Sequence, residues 1–430
     1  MQRHDFIRSL ASVLALPLAA GAATTPEPFN VLVLGDSIAW GQGLTDDHRW
    51  RTTIVDRLAA RLGRPIVEVP TEVHSGASIG LGDLNQIADT SRNHVANDRY
   101  APRYDDATTK SATPVQSASF ELSYLEEGKY AGEIPSYTPT VMRQLDNYDA
   151  SPSQDTRIDL ILLSAGINDV GVTRLLDPVA DRRYVREAIR VHCHDHLLAL
   201  LDRLRARFVE PNPNCIVIVL SYYPMIGEDS LDIPPVRDLV RALLGSPVQT
   251  RAQARSQGLE RGAASITATT SDLAGSASRY TLAKPNENPA VTPPRKLNVI
   301  ARALVAAANR FFDQSEAAIG EAVDDANRAP FSPNFVHVTP NVDPLHTVFT
   351  IQPDPQLWSL KNATLAPEDE LVAERYAICD RLGIDRHDLD PSAIAACRIA
   401  SIGHPNVNGA EQYADSIWNA IVPRLPKAAS

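Results

Sequence analysis

Residues 29–44 read FNVLVLGDSIAWGQGL, and the first half of that stretch decides the architecture. Phe29 to Leu34 is almost unbroken apolar and β-branched, which marks a strand buried on both faces rather than one with a wet side. It then breaks sharply at Gly35-Asp36-Ser37, so a serine sits where a strand hands over to a loop or helix. Four further runs share this character: PIVEVP (65–70), IDLILLSAG (158–166), CIVIVLSYYP (215–224) and FVHVTP (335–340). Helix-period patterns lie between them at 52–63, 194–208 and 297–323. Strand and helix alternate, which predicts an α/β protein with a doubly wound, five-stranded parallel sheet.

Two stretches interrupt the alternation, at about 81–157 and 225–296, the second rich in Ser, Thr and Pro. Long inserts of this kind in a compact α/β fold cap or line a site rather than build its core. The chain of 430 residues is long enough for two domains, and one large domain over 23–430 with these inserts is the simpler reading. A formal charge of −11 with no basic run argues against nucleic acid or an anionic membrane as partner, since both require clustered positive charge.

The N-terminus carries Arg3 and Arg8, an apolar run from about Leu10 to Ala20, and then Ala20-Gly21-Ala22. This is the order of a cleaved secretory signal over residues 1–22, and the run is short for a membrane span. Secretion or a periplasmic location suits the four cysteines, Cys193, Cys215, Cys379 and Cys397. The expected pairs are Cys379 with Cys397, which bracket a loop before His404, and then Cys193 with Cys215. The alternative is four buried free thiols.

Four short segments carry candidate chemistry. Ser37 becomes a nucleophile only if a base reaches its hydroxyl, and a lone Gly-Asp-Ser is otherwise a turn with a helix cap. In HSGASIG, Gly76 lacks a Cβ, so its N–H can approach an anion closely. In SAGINDVG, the Asn168 amide can donate to a developing oxyanion. His404, in GHPNVNGAEQYA, stands ahead of a final helix that Asn408 or Gly409 would open. Each is commonplace alone. Trp40 and Tyr222 are candidate walls of a substrate pocket, with core packing as the alternative.

Taken in order, GDS after the first strand, SGAS after the second, GIND after the third and HPNVNGAEQYA before the last helix resemble the GDSL, or SGNH, hydrolase family. SYYP and GEIPSYTPTV are also similar to segments of its larger secreted members. The resemblance spans roughly residues 30–420, with the two inserts unmatched. It implies a five-stranded flavodoxin-like fold and an acyl-serine mechanism. Ser37 would be the nucleophile and His404 the base, with an oxyanion hole from Ser37, Gly76 and Asn168. The implied activity is hydrolysis of a small-molecule carboxylic ester, of lipid or acylated sugar, by a monomer without metal or cofactor. Acyl transfer by the same site, and a non-catalytic binding protein on the same fold, are the alternatives.

The departure lies at the family's DxxH, where this chain has Ser401-Ile402-Gly403-His404. Ser401 supplies no charge to orient the imidazole or stabilise the imidazolium. A backbone carbonyl near residues 400–402, or a carboxylate among Asp380, Asp385, Asp388 and Asp390 or from another loop, must take that place, or the site is weakened. One rival constellation is RVHCHDH, in which His192 and His196 are four apart and share a helical face, as in a metal site. It lacks an HExxH glutamate and opens an amphipathic helix where polar residues gather, so no metal is expected from the sequence.

Overall fold

A computed structural model of the chain describes residues 26–81, 132–135, 139–171, 182–227, 230, 294–328, 334–348, 350, 352–361, 366–385, 394 and 397–426. The proposed signal segment and most of both inserts lie outside these residues. In chain order the elements are β1 (Phe29–Gly35), α1 (Ser37–Trp40), α2 (Trp50–Leu62), β2 (Ile66–Val69), α3 (Val141–Asp149), β3 (Leu160–Ser164) and α4 (Ile167–Val170). Then come α5 (Arg182–Ile189), a π-helical segment Arg190–His196, α6 (Leu197–Leu204), a second π segment Arg205–Val209, β4 (Ile216–Leu220) and α7 (Pro294–Asn327). The chain finishes with β5 (Phe335–Val338), a short ribbon of β6 (Leu360–Lys361) and β7 (Ala366–Pro367), α8 (Val372–Asp385) and α9 (Val407–Ile421).

The five apolar runs form one sheet in the order β2-β1-β3-β4-β5, every neighbouring pair parallel. All residues of β1, β3 and β4 are buried, which explains their continuous apolar sequences: side chains on both faces meet helices. Burying one such Leu, Ile or Val contributes about 1.5–3 kcal/mol. β2 departs from that pattern, because it lies at the sheet edge, with Val67 41% exposed and Glu68 paired to Arg51. Helices α2 and α9 pack together, with the Trp50 and Tyr413 rings stacked at 6.3 Å, while α6 and α7 pack against each other and α7 against β5. The arrangement is compatible with the doubly wound form expected. Among the described residues no helix is long and apolar enough to cross a membrane.

The strand order places chain reversal between β1 and β3: the connection from β1 runs to one side, to β2, and the chain returns past β1 to β3. At such a switch point the loops leaving the carboxyl ends of the two strands diverge and open a crevice, where open α/β sheets bind ligands. Ser37 follows β1 and Asn168 follows β3, so both segments start at this crevice.

Three expectations are corrected. Cys379 and Cys397 form a disulfide, with Cα atoms 6.0 Å apart, but Cys193 and Cys215 are both buried free thiols. Cys193 packs beside Gly166 beyond the carboxyl end of β3, whereas Cys215 directly precedes the amino end of β4. A five-residue strand separates the two levels by roughly 16 Å, and a disulfide requires Cα atoms within about 7 Å. Burial pushes the Cys215 thiol up to about 12 and that of Cys193 higher still. The helical pattern at 194–208 begins earlier, at Arg182, and includes two π segments. The final helix is opened by Asn406, not Asn408 or Gly409: its side chain accepts the Gly409 N–H at 3.1 Å. Gly409 instead serves close packing, since a Cβ there would lie 2.1 Å from the Gln356 carbonyl oxygen.

Candidate active site

The turn carrying Ser37 is built by its neighbours. Gly35 has φ +140°, and a Cβ on it would fall 2.3 Å from the Ser164 carbonyl oxygen, so only glycine fits. Gln144 of α3 holds this residue from both sides, accepting its N–H at 2.9 Å and donating to its carbonyl at 2.8 Å. Asp36 caps α1, accepting from the Ile38 N–H at 3.0 Å, the Ser164 hydroxyl at 2.5 Å and the Tyr222 hydroxyl at 3.0 Å. Full burial outweighs these donors and lifts its carboxyl to about 6. Ser37 is thereby fixed as the first residue of α1, 5% exposed.

His404 meets it from a chain position 367 residues away, with Nε2 2.8 Å from Ser37 Oγ. The loop before α9 lies antiparallel to residues 356–358: Trp358 N–H donates to the His404 carbonyl at 2.7 Å, and Gly403 N–H donates to the Trp358 carbonyl at 3.0 Å. Tyr223 donates its hydroxyl to the Gly403 carbonyl at 2.7 Å. Nδ1 of His404 lies 3.2 Å from the Ser401 carbonyl oxygen, which assigns the proton to Nδ1 and the lone pair to Nε2. The orienting group is thus a backbone carbonyl. Asp380 is turned to Arg398 instead, and Asp388 and Asp390 lie outside the described residues. Burial pulls the imidazole down to about 4; the Ser401 carbonyl opposes this, Arg375 adds to it and Asp369 opposes it.

Behind Ser401 lies a buried ionic hub that no motif announced. Arg375, wholly buried, uses all five of its N–H groups. Nε donates to the Arg398 carbonyl at 3.0 Å, Nη1 to Glu133 at 2.6 Å and Asp369 at 2.9 Å, and Nη2 to Asp369 and to Ser401 Oγ, the last at 3.0 Å. Ser401 in turn donates its hydroxyl to Asp369 at 2.7 Å. Glu133, from the first insert, also accepts from Gln42 at 2.7 Å, Trp40 Nε1 at 3.1 Å and Gly43 N–H at 3.2 Å. One cluster therefore ties the segment after Ser37 to the turn before His404. Ser401 thus serves the histidine through its carbonyl and Asp369 through its hydroxyl.

The remaining expected groups gather at the same crevice. Gly76 adopts φ +82°, a left-handed conformation suited to glycine. Its neighbour Ala77 accepts the Asn168 amide at 2.9 Å, which sets the orientation of that side chain and leaves its second N–H for another acceptor. Asp169 accepts the Ile79 N–H with both oxygens, at 3.1 and 2.9 Å, joining the Gly76 loop to α4. Burial lifts its carboxyl to about 7. Of the two candidate pocket walls, Tyr222 follows the core-packing alternative. Tyr222 is 2% exposed and works as a strut, donating to Asp36 and accepting the Ile167 N–H at 2.9 Å. Trp40 is half-buried against Gly132, with the Arg49 guanidinium 4.1 Å above its ring and its indole N–H on Glu133. Both tie segments together. Comparison with protein-family models, curated proteins and solved structures finds no match to this chain.

Proposed function

We propose that the protein is a serine ester hydrolase of the GDSL/SGNH type, acting through an acyl-Ser37 intermediate. The observation that carries this reading is the 2.8 Å contact between Ser37 Oγ and His404 Nε2 at the switch point of the sheet. His404 removes the hydroxyl proton as Ser37 attacks the ester carbonyl, and the imidazolium keeps its Nδ1–H on the Ser401 carbonyl. The Ser37 and Gly76 N–H groups and the Asn168 amide receive the oxyanion. His404 then protonates the leaving alcohol, and water repeats the sequence to free the acid. None of these steps calls for a metal or cofactor. The buried disulfide supports an oxidising compartment and hence export. The substrate is an ester of a lipid or an acylated sugar. The test is hydrolysis of p-nitrophenyl esters from acetate to palmitate; no turnover at any chain length would sink the proposal, and the profile separates acetyl esterase from lipase.

Two results follow from the geometry. Asn168→Ala should lower kcat by about 100- to 1000-fold with little change in KM, because its amide acts on charge that exists only in the transition state. A matched rise in KM with kcat unchanged would mean that it binds substrate instead. The second concerns pH. A general base works only when neutral, and His404 is held down to about 4, so kcat/KM should stay flat on the acid side until about pH 5 and fall below about pH 4. A midpoint near the ordinary histidine value would show that the imidazole is stabilised as a cation.

A further inference from the structure

The RVHCHDH segment is resolved by the fold into two groups. His194 faces Asp195 at 2.7 Å and Asp325 at 3.3 Å, and Asp195 pairs with Arg190. His192 and His196 turn instead toward α4, where one ligand atom from each lies within 4.8 Å of an Asp169 carboxylate oxygen and of the other. The carboxylate absent from the local motif thus comes from the GIND segment, 23 residues before His192. We propose that Asp169, His192 and His196 form a binding site for one divalent first-row transition-metal ion of the zinc class, beside the crevice and independent of the esterase reading.

Three features support it. The Nδ1 atoms of His192 and His196 are 3.1 Å apart with their rings nearly perpendicular. Two nitrogens bound to one tetrahedral zinc at about 2.0–2.1 Å stand about 3.3 Å apart, so the pair is already close to ligand spacing. One ligand atom from each of the three side chains lies within 4.8 Å of the others, so closing the set onto a metal requires an approach of up to about 1.5 Å. Asp169 and His196 are buried, at 5% and 0% exposure, and backbone N–H groups, that of Ile79 among them, donate to the carboxylate. A buried carboxylate gains from a cation. The histidines also sit on a π-helical turn, a costly irregularity that concentrates at functional positions. Two imidazoles and one carboxylate favour zinc, cobalt or nickel over calcium or magnesium, which prefer all-oxygen shells.

The experiment is titration of the purified, untagged, chelator-treated protein with Co²⁺. Expected are visible d–d absorption bands saturating at about one equivalent per chain, displacement by Zn²⁺ but not by Ca²⁺ or Mg²⁺, and a loss of at least about tenfold in affinity in His192→Gln, a half-buried position. Circular dichroism reports whether that variant folds. X-ray absorption on the zinc-loaded wild-type protein needs no variant, and should show only nitrogen and oxygen neighbours with imidazole scattering. Absence of saturable Co²⁺ binding would overturn the proposal, as would a sulfur neighbour or affinity unchanged in a folded His192→Gln. Ester hydrolysis, assayed separately on the same chelated protein, keeps the two proposals distinguishable.

Discussion

Ser37→Ala is expected to lower kcat for any ester the protein hydrolyses by about 10⁴- to 10⁶-fold. The substitution removes the one oxygen positioned 2.8 Å from His404 Nε2, and neither water nor the imidazole alone supplies a nucleophile so placed. What survives is the rate that bound substrate and the oxyanion donors give to direct attack by water. His404→Ala should fall into the same range, and the double variant should be little worse than either, because the two residues act as one unit. The fold should barely notice: Ser37 loses a single hydrogen bond, worth about 1 kcal/mol. Steady-state kinetics of the three variants beside wild type, with thermal unfolding as control, make the check. A Ser37→Ala enzyme keeping a tenth of the activity would remove the acyl-serine mechanism.

Arg375→Met should cost about 3–5 kcal/mol in folding stability, read from urea unfolding. The substitution keeps the volume but strands Glu133 and Asp369, which are 2% and 3% exposed. Burial already holds the Glu133 carboxyl above its usual range, against the pull of Arg375, so without the guanidinium its ionised form is untenable. Adding Glu133→Gln and Asp369→Asn to Arg375→Met should recover part of the loss, because the cost lies in uncompensated charge rather than in lost contact. Since Arg375 also donates to Ser401 Oγ, folded variants should lose kcat as the His404 turn loosens. Equal stability of Arg375→Met and wild type would show that the hub is accessible to water.

Neutral orientation of the base has a chemical consequence. A carboxylate fixes the imidazole and offsets its positive charge, whereas the Ser401 carbonyl fixes it and, as a neutral dipole, offsets that charge only in part. Asp369 stands one hydrogen bond further back, through the Ser401 hydroxyl, and Arg375 beside it opposes imidazolium formation. The imidazole is accordingly well placed against Ser37 but weakly basic.

Much of this was legible in the chain. Short unbroken apolar, β-branched runs such as VLVL and LILL mark strands covered on both faces, so the parallel sheet followed from local composition. Ser37 and His404, which the structure brings together, stood out with Gly76 and Asn168 because each follows or precedes a recognisable element. Tyr222 was misjudged because an aromatic after a strand reads alike whether it lines a pocket or buries its hydroxyl on Asp36. Arg375 and Asp369 were invisible: their partners lie 242 and 32 residues away, at Glu133 and Ser401. Nothing in APEDELVAERYA distinguishes a buried ionic hub from an exposed helix start.

By itself the sequence determined the α/β class and the order of strands, which rest on periodicity, while the four residues of the candidate site came from an ordered set of short motifs that resembles a known family. Only the tertiary structure decided what orients His404, which cysteines pair, and that Asp169 comes to face His192 and His196. Each of these depends on the distance between groups remote along the chain, and only packing around the sheet sets that distance.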